Sequence, residues 1–510
     1  MKKLLFILLT VCVSGQIFAQ RTETLLERNW TFNGKTIVSI PHDWAVCGPF
    51  SRDYDLQNVR VVQNNEKKAS VKTGRTGGLP YVGKGEYTRT FNVDGFDRSA
   101  KSVTLLFDGA MSEAHVSVNG KEAIFWPYGY NSFYCDVTQL LNTDGKNNLL
   151  DVQLENRPES SRWYPGAGLY RNVHLIVTDK THIPVWGTYV TTPHVEAAFA
   201  SVRVKTEVEG VDTSKISIEN HVYDPQGREV LVKKTSECNP DGHPVDQNFV
   251  IDNPQLWSPE TPNLYRLTTL LCKNGKQVDS YNTTFGIRSV EIIADKGFYL
   301  NGKLRKIKGV CNHHDLGPLG AAVNVAALRH QLQLLKDMGC DAIRTSHNMP
   351  APELVQLCDE MGFMMMIEPF DEWDVAKCKN GYHRYFNEWA EKDMVNMVRH
   401  YRNNPCVIMW SIGNEVPTQW TKQGYKVAQF LQNICHREDS TRPVTCGMDQ
   451  VSAVLSNGFA AQLDVPGFNY RVNRYEEAYG KLPQSVVLGS ETCSTVSSRG
   501  VYKFPVTLKA

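Results

Sequence analysis

The spacing of apolar residues changes along this chain of 510 residues and predicts two kinds of structure. From about residue 21 to residue 179, short runs that alternate apolar and polar residues, such as 103–107 and 114–118, are separated by turns. Such alternation is typical of half-buried β-strands, and Asn119-Gly120 is a hairpin signal. We therefore predict an all-β sandwich of the jelly-roll type for residues 20–179.

A second strand-rich stretch follows. Runs at 201–209, 216–223, 264–272 and 279–285 have the length and alternation of strands, and Asn274-Gly275 is another hairpin turn. About 110 residues of short strands is the size of one immunoglobulin-like domain. We predict an immunoglobulin-like β-sandwich for residues 180–289.

After about residue 290 the period changes, because fully apolar strand-like runs now alternate with helical patterns such as 325–338 and 387–402. Apolar strands alternating with helices indicate a parallel sheet covered on both faces, and repeats of about 30 residues indicate a (β/α)8 TIM barrel over residues 290–510. The predicted fold class is therefore multidomain β plus α/β. The strands are predicted at 306–310, 341–345, 363–367, 407–412, 443–447, 465–469 and 486–489.

This barrel is expected to be incomplete. Seven strands are predicted, and a closed barrel of this type needs eight. Either residues 501–508 form the eighth strand, or the chain is truncated and lacks its last strand and helix. The second interpretation is favoured, since a final strand normally brings a closing helix.

The N-terminal residues have the pattern of a targeting segment. Lys2 and Lys3 precede an apolar run at 4–13, and Ala19 is a small residue before a cleavage point. This is the pattern of a secretory signal peptide, here residues 1–19, and it predicts export to the periplasm or the medium. No later apolar run approaches the ~20 residues of a membrane-spanning helix.

Composition narrows the choice of partners. Hydrophobic residues make up 41% and charged residues 21%, as in ordinary soluble proteins. The 55 basic residues balance 54 acidic ones, so charge gives no reason to expect nucleic acid as a partner. The scattered cysteines show no metal-binding spacing, and both disulfide pairing and oligomeric state stay open.

Candidate chemistry follows the barrel strands. Asn414 and Glu415 come shortly after the predicted fourth strand, and Glu491 follows the seventh. Catalytic groups of such barrels lie at the C-terminal ends of strands. Two carboxylates meeting there suit glycoside hydrolysis, in which one protonates the leaving oxygen and the other stays ionised. The alternative interpretation is that each carboxylate is simply a solvent-exposed charge in a loop, without a catalytic role.

Polar residues recur at the other strand ends, although each one taken alone has a structural explanation. An arginine beside a carboxylate would keep it ionised, and a tyrosine hydroxyl would orient it. Three of the histidines could converge, but no HxH or HExxH spacing exists, so we expect no catalytic zinc. The residues are Asn312, His313, His314, Asp315, Arg344, Ser346, His347, Asn348, Glu368, Asp371, Glu372, Asn469 and Tyr470.

Several segments form a recognisable set: Gly-Val-Cys-Asn-His-His (309–314), Ala-Ile-Arg-Thr-Ser-His (342–347), Asn-Pro-Cys-Val-Ile-Met-Trp (404–410), Ser-Ile-Gly-Asn-Glu (411–415), Gly-Ser-Glu (489–491), Pro-His-Asp-Trp (41–44) and Arg-Trp-Tyr-Pro-Gly-Ala-Gly-Leu-Tyr-Arg (162–171). Together they resemble glycoside hydrolase family two, which contains β-galactosidases, β-glucuronidases and β-mannosidases. The order of a jelly roll, an immunoglobulin-like domain and a barrel is also similar to that family.

The resemblance implies roles for individual residues. Glu415 matches the proton donor and Glu491 the nucleophile of a double displacement with retention, a pair that stands ~5–5.5 Å apart in such enzymes. Asn414 matches the contact to the sugar 2-hydroxyl. The other residues implied at the substrate are His314 and His347, which line the sugar pocket, Arg344, which supports the nucleophile, Tyr470 beside it, and Asp371.

The resemblance also bears on substrate and cofactor. The segment 411–415 is most similar to the β-galactosidase branch, and the late Asn-x-Lys of glucuronidases is not found after Glu491. Some relatives bind magnesium through Asp-Glu-x-x-x-Glu-x-His, but Ala376 and Cys378 stand at the last two places, so no cofactor is expected. We therefore expect an exo-acting β-galactosidase acting on carbohydrate. The alternatives are a β-glucuronidase or another β-glycosidase of the family, and an inactive fragment or sugar-binding remnant.

Overall fold

The computed structural model describes residues 21–49, 59–61, 67–68, 70–72, 82–210 and 214–493. The predicted signal peptide and the tail at 501–508 lie outside the described residues. None of the helices in the described ranges has the length and apolarity needed to cross a membrane.

The first domain is a sandwich of antiparallel strands. One sheet has the order β1-β12-β7-β10, the other β3-β2-β6-β11-β8-β9, and β4 pairs with β5 in a separate ribbon. The inward side chains of both sheets share one core, in which Phe107 stacks on Phe133 with ring centroids 4.9 Å apart. The strands are β1 (Thr22–Leu25), β2 (Trp30–Phe32), β3 (Thr36–Val38), β4 (Val59–Val61), β5 (Ser70–Lys72), β6 (Gly83–Phe91), β7 (Lys101–Phe107), β8 (Ala114–Val118), β9 (Lys121–Trp126), β10 (Phe133–Asp136), β11 (Asn148–Asn156) and β12 (Val173–Asp179).

The second domain is a smaller antiparallel sandwich with its own apolar core. Its two sheets have the orders β13-β14-β17 and β16-β15-β18-β19. In β17, buried and exposed residues alternate strictly, as expected for a sheet with one face on the core. The strands are β13 (Thr188–Val195), β14 (Phe199–Thr206), β15 (Ile216–Tyr223), β16 (Glu229–Lys234), β17 (Val245–Asp252), β18 (Tyr265–Lys273) and β19 (Lys276–Phe285).

A small antiparallel sheet, which was not predicted from the sequence, lies between the second sandwich and the first parallel strand. Its strands are β20 (Val290–Ile293), β21 (Gly297–Leu300) and β22 (Lys303–Leu304), in the order β20-β21-β22. The strands are only two to four residues long, too short for alternation to be recognised.

The third domain is a parallel sheet of seven strands in chain order, interleaved with helices, and it confirms the predicted fold class. β24 and β26 are buried along their whole length, as expected for strands covered on both faces. The strands are β23 (Gly309–Asn312), β24 (Ala342–Thr345), β25 (Met364–Ile367), β26 (Val407–Asn414), β27 (Val444–Met448), β28 (Val465–Asn469) and β29 (Leu488–Glu491). The helices are α1 (Val325–Asp337), α2 (Pro352–Met361), α3 (Phe386–Tyr401), α4 (Gly424–Glu438), α5 (Val451–Ser456), α6 (Phe459–Gln462) and α7 (Tyr475–Lys481).

The strand order leaves β23 and β29 at the two ends of the barrel sheet. They approach each other, since Cys311 Sγ donates a hydrogen bond to the Ser490 carbonyl oxygen at 3.4 Å. A cavity of about 830 Å³ is lined by both strands and by inward apolar side chains such as Met364 and Ile408. The described residues therefore form seven strands of a TIM barrel that is nearly closed.

The first sandwich is docked firmly on the barrel through the segment 162–171. Arg171 is buried, and its Nη1 and Nη2 donate to the carbonyl oxygens of Pro350 and Met349 at 3.0 and 2.8 Å. Asp43 is buried as well, and its Oδ2 accepts from Ala321 N of the barrel at 2.9 Å. Unpaired, these charges would be costly in the interior, so the contacts define how the two domains meet.

Candidate active site

The structure gathers the predicted residues at the C-terminal ends of the barrel strands. Glu491 is the last residue of β29, Asn414 is the last of β26 with Glu415 directly after it, and Tyr470 directly follows β28. Strand pairing brings Asn469 opposite Glu491. The carboxyl ends of parallel strands meet at one edge, which is why residues far apart in sequence form one cluster.

Arg344 of β24 is the centre of this cluster. Its Nη1 donates to Glu491 Oε1 at 2.6 Å, and its Nη2 donates to Asn414 Oδ1 at 2.9 Å. The same guanidinium binds both carboxylate oxygens of Glu368 at 2.8–3.0 Å. With only 3% of its side chain exposed, Arg344 is a fixed positive charge beside Glu491.

Glu368 holds Arg344 in this position. Burial alone would raise the pKa of Glu368, but the charge of Arg344 and hydrogen bonds from His347 and Ser411 outweigh it and keep that pKa below its usual value. His347 Nδ1 lies 2.6 Å from Glu368 Oε1, and Ser411 Oγ donates to Glu368 Oε2 at 2.5 Å. A carboxylate with this many donors stays ionised while buried.

Tyr470 contacts the other oxygen of Glu491, since its hydroxyl donates to Glu491 Oε2. Burial and the adjacent Glu491 raise the pKa of Tyr470 above its usual value, so the phenol keeps its proton. Together Arg344 and Tyr470 fix both oxygens of Glu491. The carboxylate of Glu491 is therefore held in one orientation.

Glu415 lies in the same hydrogen-bond network. Asn469 Nδ2 donates to Glu415 Oε1 and to Asn414 Oδ1, each at 3.0 Å. Glu415 and Tyr470 both have left-handed backbone conformations, with φ of 44° and 60°. Such conformations are strained for residues with side chains, and they cluster at functional sites.

Asp371 is surrounded by cations. Arg162, from the first sandwich, donates to both of its oxygens, and Lys377 Nζ donates to Asp371 Oδ1 at 2.9 Å. Burial would raise the pKa of Asp371, but these contacts hold it well below its usual value. Asp371 also accepts a hydrogen bond from Asn414 Nδ2 at 3.0 Å.

Aromatic rings and histidines flank the carboxylates. The ring centroids of Trp163 and His347 are 5.7 Å apart, and those of His313 and His347 are 5.6 Å apart. His347 Nε2 stands 3.6 Å from Glu491 Oε1. Burial and the neighbouring His347 lower the pKa of His313 to about 4, so His313 is neutral at ordinary pH.

The structure places His314 at the interface between the first sandwich and the barrel. Its Nε2 lies 3.1 Å from the Pro165 carbonyl oxygen, and its ring packs edge-on against Tyr130 at 5.1 Å. Burial lowers its pKa to about 3. His314 is thus part of the sandwich–barrel interface, and the histidine beside His347 is His313. Successive residues after a strand point in different directions, so sequence could not choose between the two.

Two residues that contact Asp371 in this cluster were not predicted from the sequence. Lys377 lies inside segment 371–378, which was considered only as a magnesium motif, and Arg162 lies in segment 162–171 of the first sandwich, which was considered only for the family resemblance. Glu372 binds His383 and backbone N–H groups rather than this cluster. Within the described ranges, no group of three or more His, Cys, Asp or Glu side chains is arranged to hold a metal ion.

Comparison with known proteins places these features in a family. The sequence model of the family "glycosyl hydrolases family 2, TIM barrel domain" matches residues 290–505, and a second family model, "glycosyl hydrolases family 2", matches residues 181–288. A β-galactosidase of Bacteroides ovatus is 36% identical over 98% of this chain and 62% of its own length. A β-glucuronidase of Bacteroides fragilis is 27% identical over 94% of this chain and 67% of its own.

A similar solved structure is that of a glycosyl hydrolase family 2 member from Bacteroides cellulosilyticus. Its TM-score is 0.84 at 32% identity, and the match covers 92% of this chain and 61% of that one. The chain therefore spans about three fifths of the length of two of these relatives, 62% of the B. ovatus protein and 61% of the B. cellulosilyticus protein.

Proposed function

Because the chain belongs to glycosyl hydrolase family 2, we propose that it is a retaining, exo-acting β-galactosidase that removes terminal β-galactosyl residues from glycans. The observation that carries this proposal is the buried network joining Glu491, Arg344, Asn414, Asn469 and Glu415. Two carboxylates in one network, one held by a permanent cation and the other by a neutral amide, suit the two roles of the reaction.

The proposed reaction is a double displacement. Glu491 attacks the anomeric carbon as the glycosidic bond breaks, and Glu415 gives its proton to the leaving oxygen. Glu415 then takes a proton from water, the water oxygen attacks the same carbon, and the bond to Glu491 breaks. Two inversions at one carbon give net retention. Arg344 and Tyr470 orient Glu491 for the first step.

The charges at the site support a neutral sugar. Arg344 is paired with Glu368 and Glu491, while Arg162 and Lys377 are both paired with Asp371. A uronate carboxylate that recruited one of these three cations would separate an existing ion pair, which costs free energy in a buried site. A galactoside makes no such demand.

The second candidate is a β-glucuronidase or another β-glycosidase of the family, because a β-glucuronidase is among the relatives at 27% identity. The third is an inactive fragment or sugar-binding remnant, the alternative that the sequence leaves open.

A panel of nitrophenyl β-glycosides separates these candidates. Release of nitrophenol from the galactoside at a kcat/KM at least tenfold above that of the glucuronide and the mannoside is the expected result. Hydrolysis of the glucuronide alone would establish the second candidate. Absence of turnover on every member, by protein that is folded by circular dichroism, would establish the third.

We also propose that the protein is exported, on the basis of Lys2, Lys3 and the apolar run at 4–13. N-terminal sequencing of the protein recovered from cell fractions tests this. The expected product begins near Gln20 and lies outside the cytoplasm, and an intact Met1 in the cytoplasm would contradict the proposal.

A further inference from the structure

An ion pair joins the first sandwich to the barrel next to Asn414. Arg162 Nε donates to Asp371 Oδ2 at 2.6 Å, and Arg162 Nη2 donates to Asp371 Oδ1 at 2.5 Å. The two side chains are 24% and 11% exposed. A two-pronged contact between guanidinium and carboxylate fixes orientation as well as distance, so Asp371 cannot rotate without losing both hydrogen bonds.

Asp371 in turn holds the Nδ2 end of the Asn414 side-chain amide, while Arg344 and Asn469 hold its Oδ1 end. Ionised Asp371 can only accept hydrogen bonds, and Asn414 Nδ2 donates to its Oδ1 at 3.0 Å. Arg344 can only donate, and its Nη2 binds Asn414 Oδ1 at 2.9 Å. An acceptor on one side and a donor on the other allow a single orientation of the amide. One Nδ2 hydrogen then remains for a further acceptor.

We propose that the first sandwich completes the active site: Arg162, acting through Asp371, is a positioning residue that orients the Asn414 amide to donate a hydrogen bond to the 2-hydroxyl of the bound sugar. This inference rests on the proposed function, because it concerns the sugar held between Glu415 and Glu491. It assigns Asp371 to positioning Asn414, whereas the sequence placed Asp371 among the residues that bind the substrate.

Lys377 does not substitute for Arg162. Its Nζ donates to Asp371 Oδ1 at 2.9 Å and to the Asn414 backbone carbonyl oxygen at 2.7 Å. It therefore contacts one oxygen of Asp371 as a point charge and leaves rotation of the carboxylate free. Without Arg162, Asp371 Oδ2 loses its charged partner, and the carboxylate is expected to turn to recover one.

The test compares two substrates that differ only at C2, the glycoside that the wild-type protein hydrolyses best and its 2-deoxy counterpart. In Arg162→Met, kcat/KM for the 2-hydroxy substrate is expected to fall by about 10- to 100-fold, the cost of misplacing a contact by about an ångström. The value for the 2-deoxy substrate is expected to change by less than about threefold. The different intrinsic reactivities of the two substrates do not affect this test, because each substrate is compared between the variant and the wild-type protein. Arg162→Lys restores one contact and should fall between wild type and Arg162→Met.

A matched control comes from the same interface. Arg384 of the barrel donates one hydrogen bond to Glu113 of the first sandwich at 3.0 Å. Arg384→Met removes this single charged contact across the same interface, while Glu113 keeps its two hydrogen bonds from Arg157, and should leave the ratio between the two substrates unchanged. Equal losses on both substrates in Arg162→Met, as in a merely structural role, would overturn the inference.

A crystal structure of Arg162→Met gives a readout that does not depend on activity. Rotation of Asp371, with loss of the hydrogen bond from Asn414 Nδ2, is the expected result. An unchanged Asp371–Asn414 contact would overturn the inference even if the variant is impaired. If the wild-type protein hydrolyses no glycoside, the proposed function fails, while this measurement still decides whether Arg162 orients the amide.

Discussion

At the scale of single residues, Glu491 and Glu415 have different partners. Glu491 is fixed by the cation of Arg344 and the hydroxyl of Tyr470, while Glu415 accepts a hydrogen bond from the neutral amide of Asn469. An attacking carboxylate gains from donors that hold both of its oxygens in one orientation towards the carbon that it attacks. This difference favours Glu491 as the nucleophile and Glu415 as the acid.

The two assignments predict different losses on substitution by glutamine. Glu491→Gln should reduce kcat by at least about 10⁴-fold on every substrate, because no nucleophile remains. Glu415→Gln should lose about 10²- to 10⁴-fold on substrates with poor leaving groups and far less on dinitrophenyl glycosides, which need no proton. Steady-state kinetics across a series of leaving groups measures both. Equal losses in Glu415→Gln over the whole series would contradict its role as proton donor.

At the scale of elements, β27 must pass close to the guanidinium of Arg344. A Cβ at Gly447 would lie 2.7 Å from Arg344 Nη2 and 3.1 Å from Asn469 Oδ1. Neither atom can retreat easily, since both belong to the buried network. Gly447→Ala should therefore displace Arg344, reduce kcat/KM by at least about 100-fold and destabilise the protein by roughly 1–3 kcal/mol.

Gly480 provides the control for that change. It lies in α7, and a Cβ there would meet nothing within 4 Å. Gly480→Ala should keep full activity and leave stability unchanged or slightly higher, since alanine favours helix by up to ~1 kcal/mol. Full activity in Gly447→Ala, measured beside this control, would show that β27 does not constrain Arg344.

Much of the element order was predictable from sequence, because apolar periods of two residues and fully apolar runs are strong signals. β28 was predicted with its observed bounds, 465–469. The ends of the other strands were less predictable. The seventh strand was predicted at 486–489 but spans Leu488–Glu491, because its last residues are polar and take part in strand pairing.

The positions of site residues that follow barrel strands could be predicted from the sequence. The contribution of the first sandwich to this cluster could not. Arg344 and Tyr470, which the sequence placed beside the nucleophile, lie next to Glu491 because of strand order alone. The pairing of Arg162 with Asp371 spans 209 positions and depends on how two domains dock. No local pattern encodes such a contact. Nor does a local pattern show that His313 packs against His347 while His314 contacts Pro165 of the first sandwich.

At the scale of the whole molecule, a buried carboxylate joins the first sandwich to α3 of the barrel. Asp393 Oδ1 accepts hydrogen bonds from Trp126 Nε1 at 3.0 Å and Asn131 Nδ2 at 2.8 Å, and Tyr382 donates to Oδ2. Burial outweighs these donors and raises the pKa of Asp393 to about 7. The interface is therefore expected to respond to pH.

The sign of the response follows from proton binding. An unfolded aspartate has a pKa near 3.9, so between about pH 4 and 7 the folded state holds a proton that the unfolded state has lost. The free energy of unfolding thus falls through this group as pH rises across that window. Asp393→Asn removes the effect and keeps an acceptor for Trp126.

Urea unfolding of both proteins at pH 4.5 and 7.5 tests this prediction. The free energy of unfolding of Asp393→Asn minus that of the wild type should be higher at pH 7.5 than at pH 4.5 by roughly 2–4 kcal/mol. Parallel pH profiles would show that Asp393 is ionised in the folded protein throughout the range.

The central claim is that Glu491 forms a covalent bond to the sugar. Incubation with a 2-deoxy-2-fluoro-β-galactoside carrying a dinitrophenolate leaving group, followed by mass spectrometry of the intact protein and its peptides, tests it most directly. The expected result is one fluorogalactosyl group per chain, on the peptide that contains Glu491, with one equivalent of dinitrophenolate released. A label on another carboxylate, or turnover of the reagent with no label and with inverted product, would contradict the account.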